Sequence, residues 1–305
     1  MPRLGTQNVY CAPRVTSLPL RAHAVKALVP LALATLATAF PRSARAEPPD
    51  ALDIPVIDKL SPWDHGKPRA FVAGKVDLGV VYARPAVMVG YGRPHWEWFG
   101  AEAYVFSTNS FGATYAGARA SLPFLDFTMG VRDTLSYRRS FLPDKAHYEA
   151  SDVDHTTGDR ARYRTYETEL SGVLPAPWGY FVWGVVGETV FGVPRGQLVY
   201  EEGIRVVMRP PFALDLRFGY VASVGKDGVA KIGFLTETIV MPNRDGPVER
   251  VGPVVTLAIT DHLEGLGVFT TVVRGPDSLG LLHSPYGILG VRYRFASGDA
   301  SPGFP

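Results

Sequence analysis

The sequence has almost no cysteine: its one thiol, Cys11, lies near the start of a chain of 305 residues. A single cysteine excludes a disulfide-stapled scaffold and a cysteine-rich zinc site. Lys plus Arg (31) and Asp plus Glu (29) nearly balance, and no basic block occurs, which argues against a nucleic-acid binder. Charged residues are only 20% of the chain and aromatic residues are 11%, a composition that excludes a disordered chain.

Asp and Glu are missing from residues 1–46, which carry six basic residues. In this segment the apolar stretch Ala27–Phe40 follows Lys26 and precedes the small-residue site Ala44-Arg45-Ala46. A basic start, a short apolar centre and an A-x-A site predict a secretory signal peptide over 1–46, cleaved after Ala46. The basic region is long, which leaves open a true translation start further in.

Cysteine is absent from the predicted mature chain of 259 residues, which carries a formal net charge of −4, because the leader removes six basic and no acidic residues. A chain without thiols fits an oxidising compartment outside the cytoplasm. Long apolar runs are missing too: no 18 consecutive residues after Ala46 are apolar, so no transmembrane helix is predicted.

The dominant pattern after the leader is alternation of apolar and polar residues. Between Leu125 and Tyr137 the odd-numbered residues are apolar except for Asp133, and the even-numbered residues are polar or small. A second run of this kind covers Phe212–Val221. Period-2 alternation indicates strands, and strands of this length suit a transmembrane barrel, whose sheet closes so that every backbone polar group is paired.

Eleven further segments are candidate strands, which makes thirteen, whereas a bacterial single-chain barrel has an even number. We therefore predict about 12 strands, with 10 or 14 as alternatives. The further segments are Phe71–Tyr82, Ala86–Gly92, Trp96–Ser107, Phe111–Ser121, Arg162–Leu174, Trp178–Phe191, Gln197–Met208, Val229–Met241, Val248–Thr260, Leu263–Arg274 and Tyr286–Phe295. Proline-containing turns are predicted at Arg84-Pro85, Leu122-Pro123, Pro175-Ala176-Pro177 and Arg209-Pro210-Pro211, and long loops at Arg139–Ala161 and Gly275–Pro285.

The last candidate strand carries the most specific motif, in which Gly290 lies five residues before Phe295 and Tyr293 lies two before it. This motif resembles the terminal assembly signal of bacterial outer-membrane β-barrel proteins. The resemblance implies an all-β, antiparallel transmembrane barrel in a Gram-negative outer membrane, with membrane lipid and the barrel-assembly machinery as partners. It divides the mature chain into a periplasmic lead-in (47–70), the barrel (71–295) and a flexible tail (296–305).

Aromatic residues near predicted strand ends would form the girdles that such barrels carry at the membrane surfaces. The candidates are Tyr137, Tyr163, Trp178, Tyr180 and Tyr293.

Charged residues on the non-lipid faces would line the lumen. The candidates are Asp126, Arg132, Glu167, Glu169, Glu201, Arg205, Asp215 and Arg217, together with Asp77, Lys231 and Glu237. Because both signs are present, the residues predict a narrow channel for small polar solutes. Cross-strand pairing of the same charges would instead close the lumen and favour a structural or ligand-binding barrel. A secreted soluble β-barrel or sandwich is the alternative outside the membrane.

Catalysis is not predicted. Asp152-Val153-Asp154-His155 lies in the long loop Arg139–Ala161 and could activate water or bind a cation, but the surrounding residues favour a solvated acidic loop. The remaining histidines lack ligand spacing, so no metal or cofactor site is predicted. An outer-membrane hydrolase remains a weaker alternative.

Overall fold

The computed structural model of the chain describes residues 66–154, 156–225, 229–280 and 287–298. Its strands are β1 (Arg69–Gly79), β2 (Tyr82–Arg93), β3 (Glu97–Thr108), β4 (Phe111–Ser121), β5 (Leu125–Ser136), β6 (Leu142–Pro143), β7 (Arg162–Ala176), β8 (Gly179–Phe191), β9 (Gln197–Glu201), β10 (Val206–Met208), β11 (Phe212–Val224), β12 (Ala230–Val240), β13 (Val248–Ala258), β14 (Leu263–Phe269), β15 (Thr271–Arg274) and β16 (Gly287–Ala296). A short helix, α1 (Ala150–Asp154), follows β6. No helix in the described ranges is long and apolar enough to cross a bilayer. The predicted signal peptide, most of the lead-in and most of the tail lie outside these ranges.

Twelve strands close into an antiparallel barrel, which confirms the predicted fold class and strand number. The order around the barrel is β1, β2, β3, β4, β5, β7, β8, β11, β12, β13, β14 and β16. Strand β15 continues β14 after an interruption at Thr270, and both pair with β13. The barrel closes where β16 pairs with β1, from Ala73 opposite Ala296 to Gly79 opposite Gly290.

Of the thirteen candidate strands, Gln197–Met208 is the one that is not part of the barrel wall, so its prediction as a wall strand is wrong. It forms β9 and β10, which join β6 in a separate three-stranded sheet. Both short strands are buried on both faces except at Gln197, whereas the wall strands alternate. Apolar residues on both faces of a short segment mark a strand that is covered on two sides.

The first turn of the barrel lies at residues 80–81 and not at Arg84-Pro85, which belongs to β2. This corrects the predicted turn and extends the segment predicted over Ala86–Gly92. Pro85 pairs with Val76 of β1, but the ladder with β3 skips from Ala83 to Ala86. A proline is tolerated inside this strand because the interrupted ladder does not require its missing N–H.

The connections differ at the two ends of the barrel. At the end where β1 begins and β16 finishes (the terminal end), the connections join β2 to β3, β4 to β5, β7 to β8, β11 to β12 and β13 to β14. At the opposite end (the loop end) they join β1 to β2, β3 to β4, β5 to β7, β8 to β11, β12 to β13 and β15 to β16, and the two longest run between β5 and β7 and between β8 and β11. All the long connections therefore lie on one side, as in bacterial outer-membrane barrels.

The alternation of each wall strand separates an outer apolar face from an inner polar face. On β5, Phe127 and Met129 are 37% and 39% exposed, whereas Asp126, which precedes Phe127, is only 2% exposed. On β16, Leu289, Val291 and Phe295 are exposed, and Arg292 and Arg294 are buried. The large apolar side chains thus cover the outside of the barrel, which is the reverse of a soluble barrel.

Two of the five aromatic residues predicted for a girdle face the interior instead. Tyr163 is buried in contact with β9 and Tyr180 is buried in an apolar cluster inside the barrel. Trp178 is 83% exposed at the terminal end, and Tyr137 is exposed at the loop end. Sequence position near a strand end does not decide which face a residue occupies, and this is why the prediction was wrong for Tyr163 and Tyr180.

The two longest loops, residues 137–161 and 192–211, fold together at the loop end, and we call them the cap. One apolar cluster holds the parts of the cap to each other and to residue 279 (Leu142, Tyr148, Val153, Leu198, Tyr200, Val207 and Leu279). A second cluster joins β9 and β10 to the inner wall (Tyr163, Val190, Val199, Ile204, Val206, Met208, Ala213, Ile239, Met241 and Val248). The cap therefore packs into the loop end of the barrel.

Candidate functional site

The predicted lumen residues fall into two groups in the structure. Six lie on wall strands with their side chains toward the interior (Asp126, Arg132, Glu167, Glu169, Asp215 and Arg217). Glu201 and Arg205 lie on the cap, at the end of β9 and in the β9–β10 turn. They do not lie on a wall strand, because the segment Gln197–Met208 that carries them is not part of the barrel wall; that they line the lumen stays a prediction. Glu201 still reaches the interior, where it meets Arg132.

Arg132 binds three carboxylates at once. Its Nη1 lies 2.9 Å from Glu167 Oε2, and its Nη2 lies 2.9 Å from both Glu188 Oε1 and Glu201 Oε1. Glu167 and Glu188 lie opposite each other on the neighbouring strands β7 and β8, so two carboxylates of like charge meet at the same guanidinium. Arg132 is 9% exposed, and Glu188 and Glu201 are 2% and 0% exposed. This cluster connects the wall to the cap through buried charges.

The β9–β10 turn is shaped to approach Arg132. A Cβ on Gly203 would lie 2.6 Å from Arg132 Nη1, so a side chain at this position would require the guanidinium to shift. The Ile204 N–H donates to Glu201 Oε2 at 2.8 Å, and the Tyr163 hydroxyl donates to Glu201 Oε1 at 3.3 Å. These bonds hold the Glu201 carboxylate in place for Arg132.

A second cluster anchors the same turn from the opposite wall. Arg250 on β13 donates to Glu237 Oε2 at 2.8 Å and to the carbonyl oxygens of Ile204 and Arg205 at 3.0 and 2.9 Å. Arg217 lies 2.6 Å from Asp215 and 3.3 Å from Glu237. The turn is thus bound by wall guanidinium and carboxylate groups on two sides.

A third group of ion pairs lies along the seam where the barrel closes. Arg292 Nε lies 2.6 Å from Asp77 Oδ1, and Arg84 Nε donates to Asp77 Oδ2 at 2.9 Å. Arg294 lies 3.0 Å from Glu264 on β14. Near this seam, Arg119 binds Asp126 through two bonds of 2.8 and 2.9 Å and Glu102 at 3.2 Å. The inward arginines of the described wall are therefore matched with carboxylates.

A cavity of about 300 Å³ remains inside the barrel. Its lining carries charged side chains of both signs (Lys75, Arg84, Glu102, Arg119, Asp126, Glu167, Glu169, Arg217 and Arg292). An apolar part of the lining is formed by inward residues of β8, β12, β13 and β14 (Val182, Leu235, Val254, Leu266 and Val268). A cavity that combines an apolar surface with convergent polar groups is the usual form of a small-molecule site.

The cap carries its own buried ion pair at the loop end. Arg139 Nη1 donates to Glu202 Oε2 at 2.8 Å, Arg139 Nη2 donates to Asp154 at 2.8 Å, and the guanidinium lies 4.5 Å from the ring centre of Tyr200. Burial raises the pKa of the Glu202 carboxyl to about 7, although the neighbouring Arg139 acts in the opposite direction. Glu202 therefore titrates near neutral pH.

The acidic loop motif forms ion pairs and does not gather into a metal site in the part of the chain that is described. Asp152 lies 2.6 Å from Lys145, and Asp154 lies 2.8 Å from Arg139. His155 lies outside the described residues. Within those residues, no group of three or more His, Cys, Asp or Glu side chains is arranged to hold a metal ion.

The terminal motif lies in the closing strand β16, with Gly290 opposite the end of β1 and Phe295 opposite Gly74. Gly290 packs on β1, where a Cβ would lie 2.4 Å from the Leu78 carbonyl oxygen. Tyr293 and Phe295 lie on the outer face, and the Phe295 ring covers Gly74 of β1. The role of these three residues as an assembly signal stays a prediction.

Sequence reasoning missed several interior residues, notably Arg84, Glu102, Arg119, Glu188, Arg250 and Glu264. Parity alone could not identify Arg119, because β4 carries alanine and glycine on both faces and has no clear apolar face. Glu188 was hidden because β8 carries valines on both faces, at Val182, Val185 and Val186. No protein-family model and no curated protein sequence matches the chain.

Proposed function

We propose that this protein is a membrane-spanning barrel of the bacterial outer membrane whose closed lumen binds a small ligand. The observation that carries the proposal is the distribution of charge on the wall strands. The charged residues in the middle of these strands face the interior. The remaining charged residues of the wall strands each lie within four positions of a strand end (Arg69, Arg93, Glu97, Asp133, Arg162, Arg164, Glu249 and Arg274).

A charge-free outer band suits contact with lipid hydrocarbon. Strands β1 to β5 have 11 or 12 residues, and about 9–11 residues suffice to cross a bilayer. Exposed phenylalanines on this surface, such as Phe99, Phe218 and Phe234, would be costly in water. The predicted signal peptide and terminal motif support the same location, with membrane lipid and the barrel-assembly machinery as partners.

The closed lumen is proposed from the burial of the interior charges. Asp77, Glu188, Glu237, Arg250 and Arg292 are each at most 3% exposed. Residues that line a conducting pore are in contact with water, whereas these five are buried in ion pairs, and Arg250 also binds the cap. The cavity of about 300 Å³ remains inside the barrel. We propose that the protein binds a ligand there and does not catalyse a reaction.

A narrow channel for small polar solutes is the second candidate. It is favoured by the charged residues of both signs that line the cavity, because they would interact with a solute in transit. For conduction, the β9–β10 turn would have to leave its place between Arg132 and Arg250. The two candidates therefore differ in whether the cap opens.

Planar-bilayer recording on the chain purified in detergent tests the proposal. A heat-modifiability gel on the same sample confirms that the barrel is folded. We expect the protein in the membrane fraction of cells and no discrete conductance steps from the folded barrel. Recovery from the aqueous periplasmic fraction would refute the membrane location, and discrete, salt-dependent steps would replace the closed lumen with the channel.

A further inference from the structure

A group of exposed arginines lies at the loop end, where the chain leaves β5 and enters β7. We call them the rim arginines, and they are Arg138, Arg160, Arg162 and Arg164. Arg162 and Arg164 are the first two outward residues of β7, because Tyr163 and Thr165, which alternate with them, are buried on the inner face. The rim arginines therefore border the outer surface of the barrel and not its lumen.

Hydrogen bonds hold the two chain segments that carry the rim arginines side by side. Arg160 Nη1 donates to the Arg138 carbonyl oxygen at 2.6 Å, and the Ala161 N–H donates to the Arg139 carbonyl oxygen at 2.8 Å. The regular ladder between β5 and β7 begins directly after these bonds. The positions of the arginines are thus fixed by backbone contacts before any partner binds.

The protein neutralises only part of the positive charge of the rim arginines. Residues 133–138 and 159–164, which run alongside each other, contain four arginines and two aspartates, an excess of two positive charges. Asp133 is bound by Arg164 through two bonds of 2.9 and 3.1 Å, whereas Asp159 forms no ion pair among the described residues. The other three rim arginines likewise form no ion pair in the part of the chain that the structure describes. Three guanidinium groups are therefore available to an anion.

The outer surface beside the rim arginines is apolar. Val131 and Leu135 on β5 and Tyr166 on β7 are all exposed. Leu135 lies opposite Arg162 in the ladder, and Tyr166 lies opposite Val131 two positions further along. A molecule bound here would meet hydrocarbon side chains along its body and guanidinium groups at one end. This combination matches a lipid that has acyl chains and an anionic headgroup.

The guanidinium group favours phosphate as the anion in that headgroup. Its planar fork of N–H donors binds two phosphate oxygens at once through charge-assisted hydrogen bonds. Each Lys or Arg close to a membrane surface increases the affinity for anionic lipid by about fivefold. A zwitterionic headgroup gains less, because it brings its own cation close to the arginines.

We propose that the rim arginines bind the phosphate of an anionic membrane lipid, whose acyl chains lie against the outer faces of β5 and β7. This rests on the proposed membrane location and names the class of lipid that the barrel binds at this place. In bacterial barrels the long loops lie on the outer side of the membrane, so the lipid belongs to the leaflet that surrounds the loop end.

Native mass spectrometry of the full chain, folded in detergent and titrated with one lipid at a time, tests the proposal. The three probes carry the same two oleoyl chains. Phosphatidic acid has an anionic phosphate, phosphatidylcholine has a zwitterionic headgroup, and dioleoylglycerol has no phosphate. We expect phosphatidic acid to bind at least about tenfold more tightly than either control. Equal affinity for phosphatidic acid and phosphatidylcholine would overturn the inference.

Inorganic phosphate separates a lipid site from a site for the free anion. Added in excess, it should leave phosphatidic acid bound, because it lacks the acyl chains that contact β5 and β7. Displacement of phosphatidic acid by inorganic phosphate, but not by chloride at the same ionic strength, would overturn the assignment to a lipid.

Variants at the rim test which residues form the site. Arg162→Gln should weaken phosphatidic acid by about fivefold, and the triple variant with Arg138→Gln and Arg160→Gln by about a hundredfold. The control is Arg274→Gln, which removes an exposed cation at the same end of the barrel that lies 3.5 Å from Glu249 and should leave binding unchanged. A heat-modifiability gel confirms that each variant is folded. Equal losses in Arg162→Gln and Arg274→Gln would overturn the assignment to the rim arginines.

The failure of this inference is distinguishable from that of the proposed function. A folded barrel that is recovered in the membrane fraction, yet binds phosphatidic acid no better than phosphatidylcholine, contradicts the lipid site alone. Recovery of the folded protein from the aqueous periplasmic fraction contradicts the membrane location, and the lipid site with it.

Discussion

Replacement of Arg132 by Met should be among the most destabilising single changes in this barrel. It leaves Glu167, Glu188 and Glu201 without a cation, and the last two have almost no contact with solvent. Removing one partner of a buried ion pair costs about 3–5 kcal/mol, because the remaining charge is buried and uncompensated. We expect a loss of this size in urea unfolding of the detergent-folded protein, followed by tryptophan fluorescence.

The control is Arg164→Met on the outer face of the same pair of strands. Arg164 binds Asp133 through two bonds of 2.9 and 3.1 Å, but its side chain is 61% exposed. An exposed pair contributes less than about 1 kcal/mol, so this variant should unfold almost like the wild type.

The double variant Arg132→Met with Glu201→Gln tests whether burial of unpaired charge causes the loss. Because it removes one of the carboxylates that Arg132 leaves behind, the free energy lost should be smaller than the sum of the two single losses. Equal losses for Arg132→Met and Arg164→Met, or additive losses in the double variant, would refute the reasoning.

Three further predictions concern the cap, the outer surface and the terminal motif. Because the pKa of Glu202 is raised to about 7 in the folded state, its stabilising contribution is complete below the unfolded pKa near 4.5 and is lost as the pH rises through about 7. Proteolysis of the cap should accordingly be faster at pH 8 than at pH 5 in the wild type, and this difference should shrink in Glu202→Gln. Phe218→Arg should destabilise folding into lipid vesicles by about 2–4 kcal/mol, against about 0–1 kcal/mol for Val273→Arg near the loop end; equal effects would contradict a lipid-facing band. Phe295→Ala should lower the yield of assembled barrel in cells more than Phe269→Ala, which removes an equally exposed ring from β14; equal yields would count against an assembly signal.

The faces of the strands could be predicted from the sequence, because alternation is a local property. In β5 the apolar residues Phe127 and Met129 and the polar residue Asp126 occupy opposite faces whatever the strand pairs with. Alternation does not reveal which face is inside. The exposed outer side chains of the barrel supply that information, since only a closed sheet gives the two faces an inside and an outside.

The thirteenth segment could not be assigned from its sequence. Gln197–Met208 is apolar enough to resemble a wall strand, but it contains Gly203 and the two glutamates before it. Tertiary packing decides where this segment lies, because both of its faces are buried at the loop end of the barrel, in contact with residues such as Tyr163 and Ile239. No local pattern expresses the availability of that space.

The candidate site was predictable only as a set of inward charges. Arg132, Glu167 and Glu169 could be placed on inner faces, but the partners of Arg132 are 56 and 69 residues away in the chain for Glu188 and Glu201. Such partners are determined by the register of β7 with β8 and by the entry of the cap.

The sequence by itself determined that the chain forms about twelve alternating strands with charge on one face, since side-chain direction in a strand repeats every two residues. Only the tertiary structure decided which charges meet, where the barrel closes between β1 and β16, and that a cap occupies its loop end. The physical reason is separation along the sequence. Alternation of side-chain direction involves neighbouring residues, whereas ion pairing and barrel closure involve residues that are far apart in the sequence and meet only in the folded barrel.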